Sequence, residues 1–291
     1  MRFAFKTSPQ DTTWDAMLEV WRAADGIGVF ESGWTSDHFY PMHGAAPATP
    51  RLEGWTTLAA LAQATRWLRL GTLVTGIHYR HPAVLANMAA TLDIVSGGRL
   101  ELGIGTGWNE QESGAYGIEL GPPAARSDRF EEACAVLTGL LSPQPTTTFR
   151  GRYYRLTGAR CDPKPVQQPH PPICIGGHGE KRTLRTAARF AQHWNFGGGT
   201  PGQFRRARDV LYQHCAEAGR DPAEIRLSAQ VPFAGDPAAS AAAAAALGDA
   251  GAELVIVSLP PPHTPAVLEP LASALAELPA AALSRPGRRA T

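Results

Sequence analysis

Residues 68–109 read LRLGTLVTGIHYRHPAVLANMAATLDIVSGGRLELGIGTGWN. An apolar strand-like run, a helix-like run and the glycine-studded Leu102-Gly103-Ile104-Gly105-Thr106-Gly107-Trp108-Asn109 follow one another here with almost no linker. Short apolar runs alternating with longer segments of helical period are the pattern of parallel strands joined by helices. A strand that ends in glycines lets a flat or phosphorylated ligand approach the backbone, because a missing Cβ removes the steric barrier. The stretch thus predicts a βαβ unit with a site at the C-terminal end of its strands.

The same alternation runs outward in both directions. Strands are predicted at 2–6, 29–36, 68–75, 100–105, 172–176, 193–196, 225–231 and 253–259, and eight strand–helix pairs suggest a closed (β/α)8 TIM barrel with insertions. The length of 291 residues suits that reading, since one α/β barrel takes about 250. Helices are predicted at 13–24, 54–67, 82–95, 127–141, 201–219 and 238–250, the last from its alanine content. Trp14, Trp21 and Trp67 are read as helix packing residues. The domain reading is one barrel over 1–283, a proline-rich insertion at about 142–172 and a loose tail at 284–291. Seven prolines in that insertion flank Phe149-Arg150-Gly151-Arg152-Tyr153-Tyr154-Arg155-Leu156, which reads as a short hairpin outside the barrel. It either shapes a pocket or is a surface excursion.

Composition excludes some classes. With 27 basic and 26 acidic residues, formal charge +1, no global field exists to draw in nucleic acid or an anionic membrane. Cys134, Cys161, Cys174 and Cys215 lie far apart without C-x-x-C pairing, which argues for a reducing compartment over a disulfide framework or structural zinc. The N-terminal apolar stretch is too short for a signal-peptide core, and nothing approaches the roughly 20 apolar residues of a membrane span. The expectation is a cytoplasmic protein acting on a small molecule. Homodimerisation stays open, because no residue pattern marks a dimer face.

Candidate chemistry gathers at the strand ends. The second strand closes with Ser36-Asp37-His38, an acid beside an imidazole at the rim where barrel enzymes keep their sites. The alternative is an N-capping Asp37 with a packed His38. The third strand ends in Val74-Thr75-Gly76, and the fourth continues into Thr106, Gly107 and Asn109; a tight turn without ligand would also explain these glycines. No dinucleotide fingerprint is completed. His78 and His81 lack a third partner, so no metal site is assigned. Gly176-Gly177-His178-Gly179 leads into Lys181, Arg182 and Arg185, so an anion at this helix start competes with a plain glycine turn beside a solvated basic face. The sixth strand adds Trp194 and Asn195, with core burial the default for the tryptophan.

Taken together, Ser36-Asp37-His38, Leu70 to Gly76 with Arg80-His81-Pro82-Ala83, Leu102 to Glu110, Gly151-Arg152-Tyr153-Tyr154, and Ile173 to Gly177 resemble the luciferase-like monooxygenase superfamily, in particular its branch dependent on the deazaflavin coenzyme F420. The resemblance implies His38 as proton donor or polar stabiliser with Asp37 beside the reactive ring. It also implies a non-proline cis peptide at Leu73–Val74 or next to it. Val74, Thr75, Gly76, Thr106, Gly107 and Asn109 would hold the ring and its side chain; Gly176, Gly177, His178 and Gly179 the phosphate; Trp194 and Asn195 further cofactor contacts. The implied reaction is hydride transfer between F420 and a small apolar substrate. Relatives that oxidise a sugar phosphate carry a glutamate straight after Gly-Thr-Gly; Trp108 stands there, with Glu110 shifted, which favours an apolar or aromatic substrate. The alternatives are an FMN-dependent monooxygenase on the same barrel and a non-catalytic flavin-binding barrel.

Overall fold

The computed structural model describes residues 1–42 and 49–278, so the predicted tail lies outside the described residues. Ten strands are present among them: β1 (Arg2–Thr7), β2 (Phe30–Asp37), β3 (Arg69–Gly76), β4 (Leu100–Gly105), β5 (Thr147–Arg150), β6 (Arg155–Ala159), β7 (Ile173–Gly176), β8 (His193–Phe196), β9 (Arg226–Pro232) and β10 (Leu254–Leu259). The helices are α1 (Trp14–Gly26), α2 (Gly54–Ala64), α3 (Pro82–Val95), α4 (Glu110–Ala115), α5 (Pro123–Leu141), α6 (Thr183–Phe190), α7 (Pro201–Glu217), α8 (Pro237–Asp249) and α9 (Leu268–Ala276). Eight strands close into a parallel barrel in the order β1-β10-β9-β8-β7-β4-β3-β2, as predicted.

Two apolar layers hold it. Between sheet and helices lies the larger core, with Trp21, Leu58, Phe130, Phe204 and Leu271 among its fully buried members. Inside the barrel, Ala4, Trp34, Leu73, Cys174, Leu254 and Ile256 form a second cluster, and Val74 packs against it. Trp34 takes the room left by Gly71, where a Cβ would sit 2.7 Å from its ring. All four cysteines are buried and unpaired. No described helix is long and apolar enough to cross a membrane.

Element boundaries depart from expectation where a side chain supplies the stop. The second predicted helix was expected to reach Trp67 but ends at Ala64, because the Asp25 carboxylate accepts the N–H groups of Arg66, Trp67 and Leu68 at 2.8–2.9 Å and pulls the chain into an extended turn. Trp67 is consequently 70% exposed under the Arg66 guanidinium, and it is not the packing residue the sequence suggested. Helix α5 starts at Pro123, four residues before its expected Ser127.

The insertion is ordered. Strands β5 and β6 pair antiparallel as the expected hairpin, and Glu132 of α5 accepts from the N–H groups of Arg152, Tyr153 and Tyr154. Its later half returns under the barrel, where Gln167 bonds Asp93, Arg69 and the Leu100 carbonyl. This segment clasps the outer wall and the floor, and none of its residues lines the cavity at the mouth.

Candidate active site

A cavity of about 250 Å³ opens at the C-terminal end of the barrel. Its lining comes from the ends of seven strands or the loops after them: Lys6, Ser36, His38, Met42, Leu73, Val74, Gly76, Tyr79, Gly107, Trp108, Gly176, Gly177, Asn195, Gly197 and Gln230. Seven of the fourteen candidate residues therefore meet in one place: His38, Val74, Gly76, Gly107, Gly176, Gly177 and Asn195.

The floor is shaped by one side chain. The Leu73–Val74 peptide is cis, and Val74 projects between β4 and β7. A Cβ on Gly105 would lie 2.8 Å, and one on Gly176 2.9 Å, from Val74 methyl carbons. On the side where a Cβ would point, both positions are filled by Val74, so these glycines make room for the platform, while Gly176 also lines the cavity. Gly107 has φ +82° and packs directly on the His78 ring, so it too answers a neighbour within the protein.

His38 stands in a hydrogen-bonded cluster on the cavity wall. Its Nδ1 lies 3.2 Å from Glu112 Oε1 and 3.1 Å from the Tyr79 hydroxyl, and Tyr79 donates to the same Glu112 oxygen. Glu112 Oε2 accepts from the N–H groups of Phe39 and Tyr40 at 2.8 and 2.9 Å. Burial raises the pKa of this carboxyl, but the donors from His38, Tyr79 and the Tyr40 backbone outweigh it and hold the group at about 2. Burial, then the hydrogen bond to Glu112, push the Tyr79 phenol well above its usual value, so Tyr79 is a donor and not a base. The cluster leaves His38 Nε2 unbonded among the described residues, as the ring's free nitrogen. The Trp108 ring, 55% exposed, sits 5.6 Å from the His38 ring at the rim.

Glu112, which organises this cluster, was not singled out in the sequence. It sits three residues after Asn109, the spacing of a helix-capping pair, and Asn109 Oδ1 does cap α4 by accepting from the Glu112 N–H at 3.1 Å. The carboxylate, however, turns to the barrel mouth. Glu110, which the sequence placed nearest the expected acid, is exposed and faces Arg126 at 3.9 Å. Lys6, Tyr79 and Gln230 were likewise missed; each looks like ordinary strand or loop polarity until the barrel closes.

The other candidates have supporting positions. Asp37 is fully buried and spends its carboxylate on Arg80, with Nη1 to Oδ2 at 2.6 Å, so it braces the rim behind His38. Burial raises its pKa more than Arg80 lowers it. Thr75 accepts from Trp55 Nε1 at 2.8 Å and is buried. Thr106 is half-buried beside Gly107 without lining the cavity. Trp194 is fully buried against Phe204, and its indole N–H donates to the Gly177 carbonyl at 2.7 Å, fixing the turn that follows β7.

That turn, Gly177-His178-Gly179, is exposed from His178 onward, and Gly177 has φ +112°. The N–H groups of His178 through Arg182 donate to no protein acceptor among the described residues, so the turn presents donors that suit an anion. The charge around it is smaller than the sequence implied. Arg182 is paired with Asp128, while Arg185 and Arg189 are paired with Glu131, all on α5.

Lys6, near the end of β1, reaches the opposite wall. Burial, with the nearby Arg51 charge, lowers its pKa to about 8. Its ammonium donates to Gln230 Oε1 at 3.3 Å and makes no ion pair among the described residues.

The family model described as luciferase-like monooxygenase matches residues 1–289. Among curated proteins, a phthiodiolone/phenolphthiodiolone dimycocerosates ketoreductase of Mycobacterium kansasii is 34% identical over 217 residues, 68% of this chain and 58% of that protein. The chain thus spans less than two thirds of such relatives. Among solved structures, an F420-dependent secondary alcohol dehydrogenase in complex with an F420-acetone adduct superposes with TM-score 0.80 at 20% identity, covering 89% of this chain and 93% of that one. The coenzyme F420-dependent tetrahydromethanopterin reductase of Methanopyrus kandleri gives 0.77 at 20% identity over 94% and 98%. A monooxygenase from Streptomyces bottropensis gives 0.75 at 20% identity over 95% and 97%. The chain belongs to the luciferase-like monooxygenase family.

Proposed function

We propose that this member of the family is an oxidoreductase that moves a hydride between coenzyme F420 and the carbonyl or hydroxyl carbon of a small organic substrate with an apolar body. The observation that carries the reading is His38 on the cavity wall beside the Val74 platform, with Nδ1 committed to Glu112 and Tyr79 and Nε2 free. The ketoreductase relatives and the F420-dependent structural neighbours support it.

The residues present fit such a cofactor. Donors of the 177–182 turn suit its phosphate, while Val74, Gly76 and Gly107 offer a flat surface for its ring. When bound, the deazaflavin supplies a ring carbon that gives or accepts hydride. For a carbonyl substrate reduced there, His38 would deliver the proton to the carbonyl oxygen. Glu112 and Tyr79 hold the imidazole by Nδ1 and so fix its orientation, with Nε2 left unbonded among the described residues. Trp108 and Met42 cover the substrate body and limit water. The protein's share of the rate is alignment and proton delivery.

Fluorescence titration of the purified protein with F420 and with FMN, followed by oxidation of reduced F420 by 2-hexanone, tests the assignment. Binding of F420 with ketone-dependent oxidation is expected. Tight FMN binding with none for F420 would transfer the protein to the flavin monooxygenase reading, and cofactor binding without turnover of any carbonyl or alcohol would make it a silent barrel.

A further inference from the structure

We infer that the substrate of this cavity ends in a carboxylate, and that Lys6 is the residue that selects it. The inference deepens the carbonyl-substrate reading above and rests on it.

The two flanks of the cavity differ in how their charges are matched. On one side the acids are satisfied inside the protein: Asp37 by Arg80, Glu112 by His38, Tyr79 and two backbone donors. On the β1 side one cation, Lys6, stands without an ion pair among the described residues. Arg51 belongs to the matched side: it donates to Ser36 Oγ at 2.7 Å and the His38 carbonyl at 2.8 Å, and the Glu112 and Asp37 charges favour its cation. Lys6 donates only to the Gln230 amide oxygen. A cation removed from water and left without a carboxylate is unfavourable, and such groups persist where a ligand completes them.

The ammonium is also held in place. Gln230 Nε2 donates to Asn195 Oδ1 at 2.8 Å, and Asn195 Nδ2 donates to Ser228 Oγ at 2.8 Å. These bonds fix the Gln230 amide so that its oxygen, not its NH2, meets Lys6. One of the three ammonium protons is engaged this way, and the others remain for an acceptor in the cavity that Lys6, Ser36 and His38 share. An oxo acid fits this arrangement: apolar body against Trp108 and Met42, carbonyl at His38, carboxylate at Lys6.

Binding can be read without turnover. Calorimetric titration of the cofactor-free protein with hexanoate and with hexanamide should show the acid bound about 10- to 100-fold more tightly, the range of one charge-assisted hydrogen bond. In Lys6→Met that preference should fall to near unity, and it should fall likewise in Gln230→Glu, which hands the ammonium an internal carboxylate; thermal melts confirm that both are folded. In turnover, wild type should favour 5-oxohexanoate over 2-hexanone by a similar factor in kcat/KM, and Lys6→Met should lose the ratio. Equal binding of acid and amide by wild type, or an unchanged preference in both variants, overturns the inference. So does a Lys6→Met protein that keeps the preference but shifts the midpoint potential of bound F420, which would set the cation against the cofactor ring. If no carbonyl is turned over, the F420 reading has failed while the hexanoate titration still decides the role of Lys6.

Discussion

Two histidine–glutamate pairs lie inside this barrel, one at its mouth and one at its floor. At the mouth, His38 Nδ1 faces Glu112 Oε1 at 3.2 Å and the remaining ring nitrogen is unbonded. At the floor, His193 Nδ1 faces Glu101 Oε2 at 2.7 Å, and its Nε2 lies 2.6 Å from Ser228 Oγ. The floor group has the order of a Ser–His–Glu triad, yet all three side chains are buried, none lines the mouth cavity, and Arg69 closes the far side by bonding Glu101 at 2.8 Å. Identical pairings thus differ in what the second nitrogen meets, and of the two histidines His38 alone lines the cavity. The sharpest way to break this contrast is His38→Asn. It should cost about 10²- to 10⁴-fold in kcat/KM while cofactor titrations and melting curves stay close to wild type; full turnover in that variant would remove His38 from the reaction.

Acid should expose the mouth pair next. The Glu112 carboxyl is held at about 2 against an ordinary 4.5. A lowered folded-state value means that its stabilisation is present above pH 4.5 and lost as pH falls toward 2. The full difference corresponds to roughly 3 kcal/mol, so the stability gap between wild type and Glu112→Gln should be of that order near neutrality and close across this window. Denaturant melts at pH 7, 4 and 3 measure it, and a gap independent of pH would contradict the charge-based role. The floor pair is tested by Glu101→Gln. Because His193 and Arg69 both use this carboxylate, stability should drop by about 2 kcal/mol, with kcat/KM of the folded fraction within about threefold of wild type. A selective loss of activity would show that the floor is not merely structural.

The contrast also explains which parts of the molecule could be read from its sequence. The eight barrel strands were legible because each is an apolar run bounded by turn residues, a signal that needs no tertiary information. His38 was legible because Asp37-His38 closes a strand whose end defines the mouth. Glu112 was hidden by its local alibi: at capping distance from Asn109 it looks like helix punctuation, and only its bonds to the loop after β2 turn the carboxylate toward His38. The Leu73–Val74 cis peptide was legible through the family resemblance, whereas the packing of Gly105 and Gly176 against Val74 was not, because those neighbours meet only once the barrel closes. Lys6 was invisible for a related reason. It lies 224 positions from Gln230, and that neighbour exists only once the barrel closes.

The smallest effect should separate the two donors that share Glu112. Tyr79 donates to Oε1 and stands 3.1 Å from His38 Nδ1, so its hydroxyl helps to set the ring without facing the free nitrogen. Its pKa is pushed up by burial and by the Glu112 charge, so it stays protonated throughout the working range and contributes no alkaline limb of its own. Tyr79→Phe should therefore lower kcat/KM by about three- to tenfold, the scale of one hydrogen bond, and leave the shape of the pH–rate profile above pH 8 as in wild type. If that profile instead lost or moved its alkaline limb, the phenol would be the proton donor and His38 the group that positions it, inverting the order of roles at the mouth.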